Sequence, residues 1–242
     1  MWAKAMQYQI TNRLLKALPK HESMRVTANA ELTELKAGEL IYESGRIERY
    51  AYFPTTAIIA LMYSGEGSAC SEVITIGAEG MLGISLILTN KVSFGSAQVQ
   101  YGGYAYRVPG DHLKHEFHRH GAFMQLLLRY TQTLIIQLAQ ISVCAIHHSL
   151  LQQLCRYLLE NSRHNENAEQ LVTQQYIANT LGTRRERVTA IAGYLQRSGL
   201  IEYSRGKLTI TDHTGLEKLA CDCHRIIQNE YERLTTGLKP KG

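Results

Sequence analysis

The chain has 242 residues, of which 45% are hydrophobic and 19% charged, with a formal net charge of +5. This length suits two modest domains, and the composition excludes a disordered or fibrous chain. No apolar run reaches the ~18–20 residues that span a bilayer, and the N-terminus lacks an apolar core followed by a small-residue cleavage site. A cytoplasmic protein with no membrane partner is therefore expected.

A short amphipathic helix comes first, with Ile10, Leu14, Leu15 and Leu18 on one face and Pro19 as its stop. From about Ala30 to Val108 the chain reads as all-β. Short apolar runs (Leu40–Tyr42, Tyr50–Phe53, Ala57–Tyr63, Ser71–Ile76, Ala97–Tyr101) alternate with turn signals at Ala37-Gly38, Ser44-Gly45, Ser64–Gly67, Gly77 and Gly102-Gly103. Strands at this spacing predict a sandwich or jelly roll. The Gly80–Gly83 pair reads as a tight turn, because no helix pattern follows it.

A long helix is predicted from about Asp111 to Ala145, with Gly121 as its one interior glycine. Leu127, Thr131, Leu134, Leu138, Ile141 and Ala145 recur at alternating steps of four and three, a heptad-like stripe widened by Leu128, Ile135 and Ile136. These residues predict a symmetric homodimer through this helix. His112, His115, His118 and His120 cluster at its start and read as an exposed polar helix end. The five cysteines (Cys70, Cys144, Cys155, Cys221, Cys223) are odd in number and irregular in spacing. They imply no disulfide framework, and reduced thiols are expected. Cys221-x-Cys223-His224 has soft ligands but no second matching pair nearby in the sequence, so no metal and no cofactor is assigned.

The last part is helical with a short β element. A helix over Leu150–Asn161 turns Leu151, Leu154, Cys155, Leu158 and Leu159 inward, and a polar loop covers Ser162–Gln170. Thr173 then caps a short helix packed by Tyr176, Ile177, Thr180 and Leu181. Gly182 follows where a left-handed residue is wanted. Thr183 is expected to cap a second helix that packs through Val188, Ile191, Ala192 and Leu195, with the small Ala178 allowing close approach. Such a pair is the scaffold that places a second helix in a major groove. Its first turn carries Arg184, Arg185, Glu186, Arg187 and Thr189, groups long and polar enough to read base edges. Leu200–Tyr203 and Lys207–Ile210 alternate as two strands around Ser204-Arg205-Gly206, a wing whose Arg205 and Lys207 suit phosphates. Six cations against two carboxylates between Thr183 and Lys207 leave +4, most of the chain's net charge. Leu216, Leu219, Ile226 and Ile227 mark a C-terminal helix packing on the winged helix.

With these elements in place, the whole chain resembles the Crp–Fnr family of transcription regulators. The sharpest match is Gly182-Thr183-Arg184-Arg185-Glu186-Arg187-Val188, similar to the start of that family's recognition helix. The resemblance makes Arg185 and Glu186 the base-reading pair. The family's third reading position falls on Ala190, which implies a different half-site preference. The family also implies two-fold symmetric double-stranded DNA and RNA polymerase as partners. In its cyclic-nucleotide-binding members a glutamate holds the ribose and an arginine the cyclic phosphate. Here those positions fall on Met81 and Gly95. A candidate ligand pocket at Met81, Gly95 and Ser96 would thus lack its main charge-assisted contact, even with Lys91 in the same loop, and a cyclic nucleotide is not the expected effector. The cysteine cluster that redox-sensing relatives carry near the N-terminus is absent before Cys70.

The expectation is an α+β chain: a β-roll sensor domain with an N-terminal helix (residues 1–110), a dimerisation helix (111–147) and a winged helix-turn-helix (148–236). Its function would be that of a homodimeric DNA-binding regulator with an unidentified small-molecule effector. The rival reading is a small-molecule receptor acting through protein contacts. No nucleophile–base pair, metal-hydrolase signature or phosphate loop suggests an enzyme.

Overall fold

The computed structural model of the protein describes residues 11–64, 70–88, 92–163 and 169–236. The expected roles of Ile10, Gly65–Gly67 and Lys91 lie outside the described residues. Two compact units divide the chain: Met1–Met62, Ile74–Leu134 and Tyr231–Gly242 form one, Tyr63–Val73 and Ile135–Glu230 the other. The boundary falls inside the long helix, which the sequence reading had set apart as a segment of its own.

In the first unit α1 (Arg13–Ala17) is capped by Asn12, whose side chain accepts from the Leu15 amide. The same side chain donates to the carbonyl oxygens of Pro54 and Gly80, both at 2.9 Å. Leu14, Leu15 and Leu18 are buried, as their spacing predicts. Pro19 stops α1 and also starts a helix not read from the sequence, α2 (Lys20–Val26). It stands at the N-cap, where a missing N–H breaks no helical hydrogen bond.

The β-region forms two sheets. In the three-stranded sheet β7 (Gly103–Pro109) lies between β1 (Glu31–Leu35) and β3 (Tyr50–Pro54), antiparallel to both. The four-stranded sheet runs in the order β2 (Leu40–Tyr42), β6 (Ser96–Tyr101), β4 (Ile58–Tyr63), β5 (Ser71–Ile76). Contrary to expectation, a one-turn helix, α3 (Ser85–Leu88), follows Gly80–Gly83. It is too short to show a period; burial of Leu86 and Ile87 forms it.

The predicted 111–145 helix is two helices, α4 (Gly110–Phe117) and α5 (Ala122–His147). His120 between them takes φ 58°. A Cβ at Gly121 would lie 2.8 Å from the Glu22 carboxylate. That carboxylate is buried and accepts from the amides of Ala122 at 3.1 Å and Phe123 at 2.9 Å. Glu22 therefore caps α5 from α2, satisfying amides that have no partner inside the helix. The break is tertiary in origin, which is why helical periodicity missed it. Phe123, Leu126, Leu127 and Tyr130 of α5 complete the core with Phe53, Met81, Val108 and Leu113.

The second unit contains α6 (Leu150–Ser162), opened by a capping box between Ser149 and Gln152. β8 (Glu169–Leu171) pairs with β10 (Lys207–Ile210), which pairs with β9 (Ile201–Ser204). The expected loop 162–170 thus ends in a strand, which three residues show no period for. α7 (Gln174–Thr180), α8 (Arg185–Arg197), α9 (His213–Leu219) and α10 (Cys223–Leu234) complete the described elements. Among the described residues no helix is long and apolar enough to cross a membrane.

Candidate nucleic-acid interface

α7 begins at Thr173, whose hydroxyl accepts from the Tyr176 amide at 3.1 Å. The helix ends at Leu181, and Gly182 takes φ 60°, the left-handed region where a side chain would be strained. The Thr183 amide then bonds back to the Ala178 carbonyl at 2.9 Å. Ala178, Val188 and Leu195 are fully buried between the two helices, with Ala192 4% exposed.

Thr183 does not cap α8, contrary to expectation. The N-cap is Arg184, extended at φ −85° and ψ 144°, with no side-chain cap bond. Thr183 is drawn back toward α7 by its own amide, so its hydroxyl is not at the cap; it lies 3.5 Å from the Arg187 guanidinium. A cation at an uncapped N-terminus opposes the helix dipole. The first turn of α8 is thus a place where an anion would be stabilised by open amides and arginines together.

Arg184, Arg185, Glu186 and Arg187 are exposed, and among the described residues none of these three arginines makes an ion pair. Thr189 is exposed, but its hydroxyl is already engaged, 2.6 Å from Gln174 Oε1 and 3.0 Å from the Arg185 carbonyl. In the wing Ser204 pairs with Lys207, leaving Arg205 and Gly206 as a two-residue turn at φ 51° and φ 80°. Both positive values are what a type I′ hairpin requires. Exposed Arg205 adopts them without glycine's freedom, and Lys207 is exposed beside it. Tyr203 braces the wing by donating to the Val172 carbonyl at 3.0 Å, and burial raises its pKa. Two further contacts on α7 carry no local sequence signal: Tyr176 donates to Glu72 at 2.7 Å and Ser71 to the Asn179 carbonyl at 3.0 Å, all within the second unit.

Residues 152–219 match the family model of the Crp-like helix-turn-helix domain. The protein carries a Crp-like helix-turn-helix domain. Its fold is that of the Crp/Fnr regulators. A Crp/Fnr transcriptional regulator from Thermus thermophilus is 21% identical with a TM-score of 0.64, over 78% of this chain and 98% of that one. FixK2 from Bradyrhizobium japonicum is 13% identical with a TM-score of 0.66, over 79% and 98%. A structure from Eubacterium rectale assigned to the same family is 21% identical with a TM-score of 0.62, over 85% and 96%. No curated protein matches the sequence.

Outside the Crp-like domain, the residues singled out from sequence take varied positions. Met81 is 1% exposed, with its side chain in the core. Its amide donates to the Tyr130 hydroxyl at 3.1 Å and its carbonyl accepts from it at 3.0 Å. Gly95 is buried and its amide bonds the Ser93 hydroxyl at 3.3 Å, while Ser96 is half-buried in β6. The first unit instead has a cleft of about 170 Å³ lined by Ile41, Tyr42, Ile47, Glu48, Arg49, Tyr50 and Tyr52, which includes none of the three. Burial raises the pKa of Glu48, while hydrogen bonds from Ser85 and Ser93 act to lower it.

Along α5 the predicted stripe lies at the edge between two faces. Leu127 is 1% exposed and packs in its own core, out of reach of a second chain. Thr131, Leu134 and Ile141 are half-buried, whereas Leu138 and Ala145 are exposed. The open apolar surface is centred one step away, on Leu128, Ile135 and Ile146.

Among the described residues, His112, His115, His118 and His120 form no ligand cluster. His112 bonds the Arg25 carbonyl at 2.9 Å and Asn29 at 3.2 Å, and His120 contacts Met124. The residues that do gather were missed from sequence: Cys221 and Cys223 meet Cys144 and His148. The second pair that Cys221-x-Cys223 lacks along the chain is supplied in space by the end of α5.

Proposed function

We propose that the protein is a homodimeric, sequence-specific DNA-binding transcription regulator. α8 enters the major groove, Arg185 and Glu186 read base edges, and Arg184, Arg187, Arg205, Lys207 and Thr173 hold the backbone. The observation that supports this best is the exposed, unpaired Arg184-Arg185-Glu186-Arg187 run at an N-terminus whose own cap is a cation. Thr183 serves to set the turn, and Thr189 to fix α8 against Gln174. The exposed Leu128, Ile135, Leu138, Ala145 and Ile146, rimmed by Thr131 and Ile141, are the surface for the second copy, a face that water would otherwise cover unfavourably. Two copies would read half-sites about 34 Å apart. RNA polymerase is the protein partner this reading implies, and the site is a binding rather than a catalytic one.

The first unit is the sensor in this reading. With Met81 in the core and Gly95 in the arginine position, a cyclic phosphate would lack its main charge-assisted contact. The cleft beside Glu48 and Arg49 is the better place for a small polar effector.

Selection of bound sequences from a random DNA pool tests the proposal. The parent protein should return a two-fold symmetric motif. Arg185→Ala should lose about 1–3 kcal/mol and relax one base position in each half-site. Equal loss on every sequence would remove Arg185 from the reading pair, and no preference at all, with and without candidate effectors, would overturn the proposal.

A further inference from the structure

Four side chains able to ligate a metal converge in the second unit. Cys144 lies in the last turn of α5, and His148 lies four residues on, just past the helix end. Cys221 occupies the short link between α9 and α10, and Cys223 is the first residue of α10. The four ligand atoms all lie within 4.8 Å of one another. Cys144 Sγ is 3.4 Å from Cys221 Sγ, and Cys223 Sγ is 3.6 Å from His148 Nδ1. All three thiols are free.

These separations are informative. With zinc–sulfur bonds of about 2.3 Å and zinc–nitrogen bonds of about 2.0–2.1 Å, a tetrahedral centre puts its sulfurs about 3.8 Å apart and sulfur and nitrogen about 3.6 Å apart. The Cys144–Cys221 edge at 3.4 Å and the Cys223–His148 edge at 3.6 Å lie within about 0.4 Å of those values. A disulfide would engage two thiols and leave Cys223 and His148 without a role. Ligands of an iron–sulfur cluster bind different irons and spread wider than donors on one ion. The donor set, three soft sulfurs and one imidazole, suits zinc among the common divalent ions.

The surroundings suit the charge. Three thiolates on a divalent ion carry a net charge of −1. The buried Arg156 places Nε 3.3 Å from Cys144 Sγ, so a hydrogen-bond donor faces that ligand position. Its NH1 is fixed by Glu160 at 2.8 Å, so the guanidinium is held in place. Cys144, Cys221 and Cys223 form a small cluster of their own, apart from the aliphatic core of the unit.

We infer that Cys144, His148, Cys221 and Cys223 form a mononuclear tetrahedral zinc site that fastens the end of α5 to the α9–α10 link. The inference is independent of which DNA the protein reads. Closed four-ligand sites of this kind are structural, and their metal-binding energy adds to folding.

The test uses full-length, tag-free protein, reduced, stripped with a chelator and reloaded. Elemental analysis and native mass spectrometry should find one zinc per chain. Cobalt(II) in its place should give the thiolate-to-metal charge-transfer band and the intense visible bands of tetrahedral coordination. Chelation should lower the melting temperature, and zinc should restore it. Cys221→Ser should lose the stoichiometric metal, while Cys70→Ser, at an exposed thiol outside the cluster, should keep it. His148→Cys is the folding-independent check: it should retain the metal and strengthen the charge-transfer band in proportion to a fourth sulfur. Reduced parent protein that takes up no zinc, or takes it up without the tetrahedral cobalt spectrum, would overturn the inference. So would a Cys221→Ser variant that still binds one zinc.

Discussion

Two sets of buried polar groups, one in each unit, are secured by different means. In the first, such groups are matched to backbone: Asn12 to two distant carbonyls, Glu22 to the opening amides of α5, Tyr130 to both polar atoms of Met81. In the second they are matched to one another: Arg156 to Glu160 and Cys144, Cys144 to Cys221, Cys223 to His148. Backbone partners are fixed once the fold forms, so Asn12, Glu22 and Tyr130 need no further partner. Thiols are weak partners, and burial pushes the pKa of Cys144 up and that of Cys223 to about 12. Both thiols resist ionisation unless a cation joins them. Polar burial therefore fixes geometry in the first unit and prepares for a ligand in the second.

The largest effect expected from breaking this contrast is at Arg156. Arg156→Met leaves Glu160 buried without its cation and should cost about 3–5 kcal/mol in urea unfolding. Adding Glu160→Leu should recover most of it, because the pair's desolvation roughly cancels its attraction. Tyr130→Phe should cost about 1–3 kcal/mol, by leaving the Met81 amide and carbonyl unsatisfied in the core. That loss cannot be recovered by a second side-chain change, and a recovery would erase the distinction between the units.

Glu48 gives a smaller, pH-dependent effect. Its pKa is raised above the ordinary 4.5 chiefly by burial. A carboxyl raised on folding contributes its stability in full below the unfolded value and loses it as pH rises through the folded one. Glu48→Gln should therefore gain stability relative to the parent as pH rises above about 4.5, as read by thermal melts at increasing pH. A flat difference would show that Ser85 and Ser93 offset the burial.

The smallest effect concerns the wing. Arg205→Gly removes a side chain at φ 51° and should raise stability by up to about 1 kcal/mol. DNA affinity should fall equally on all sequences, with a salt slope shallower by about 1. A sequence-selective loss would instead make the wing a reader of bases.

The helix-turn-helix was legible in the sequence because its determinants are local. A threonine cap at Thr173, a left-handed Gly182, an apolar period through Val188, Ala192 and Leu195, and the Arg205-Gly206 turn each act within a few residues, and each appears in place. Strands β2 to β6 were legible for the same reason, as short apolar runs between turns, whereas β1 and β7 were not singled out. Only the tertiary structure decided the rest. Glu22 breaks the long helix from a hundred residues away. Leu127 and Leu138 share a heptad stripe, yet one is buried and the other open, because the first unit covers only the start of α5. Cys144 and Cys221, 77 positions apart, touch within the second unit. Local backbone preference is written into neighbouring residues; the meeting of distant side chains is set by packing, which no short window of sequence contains.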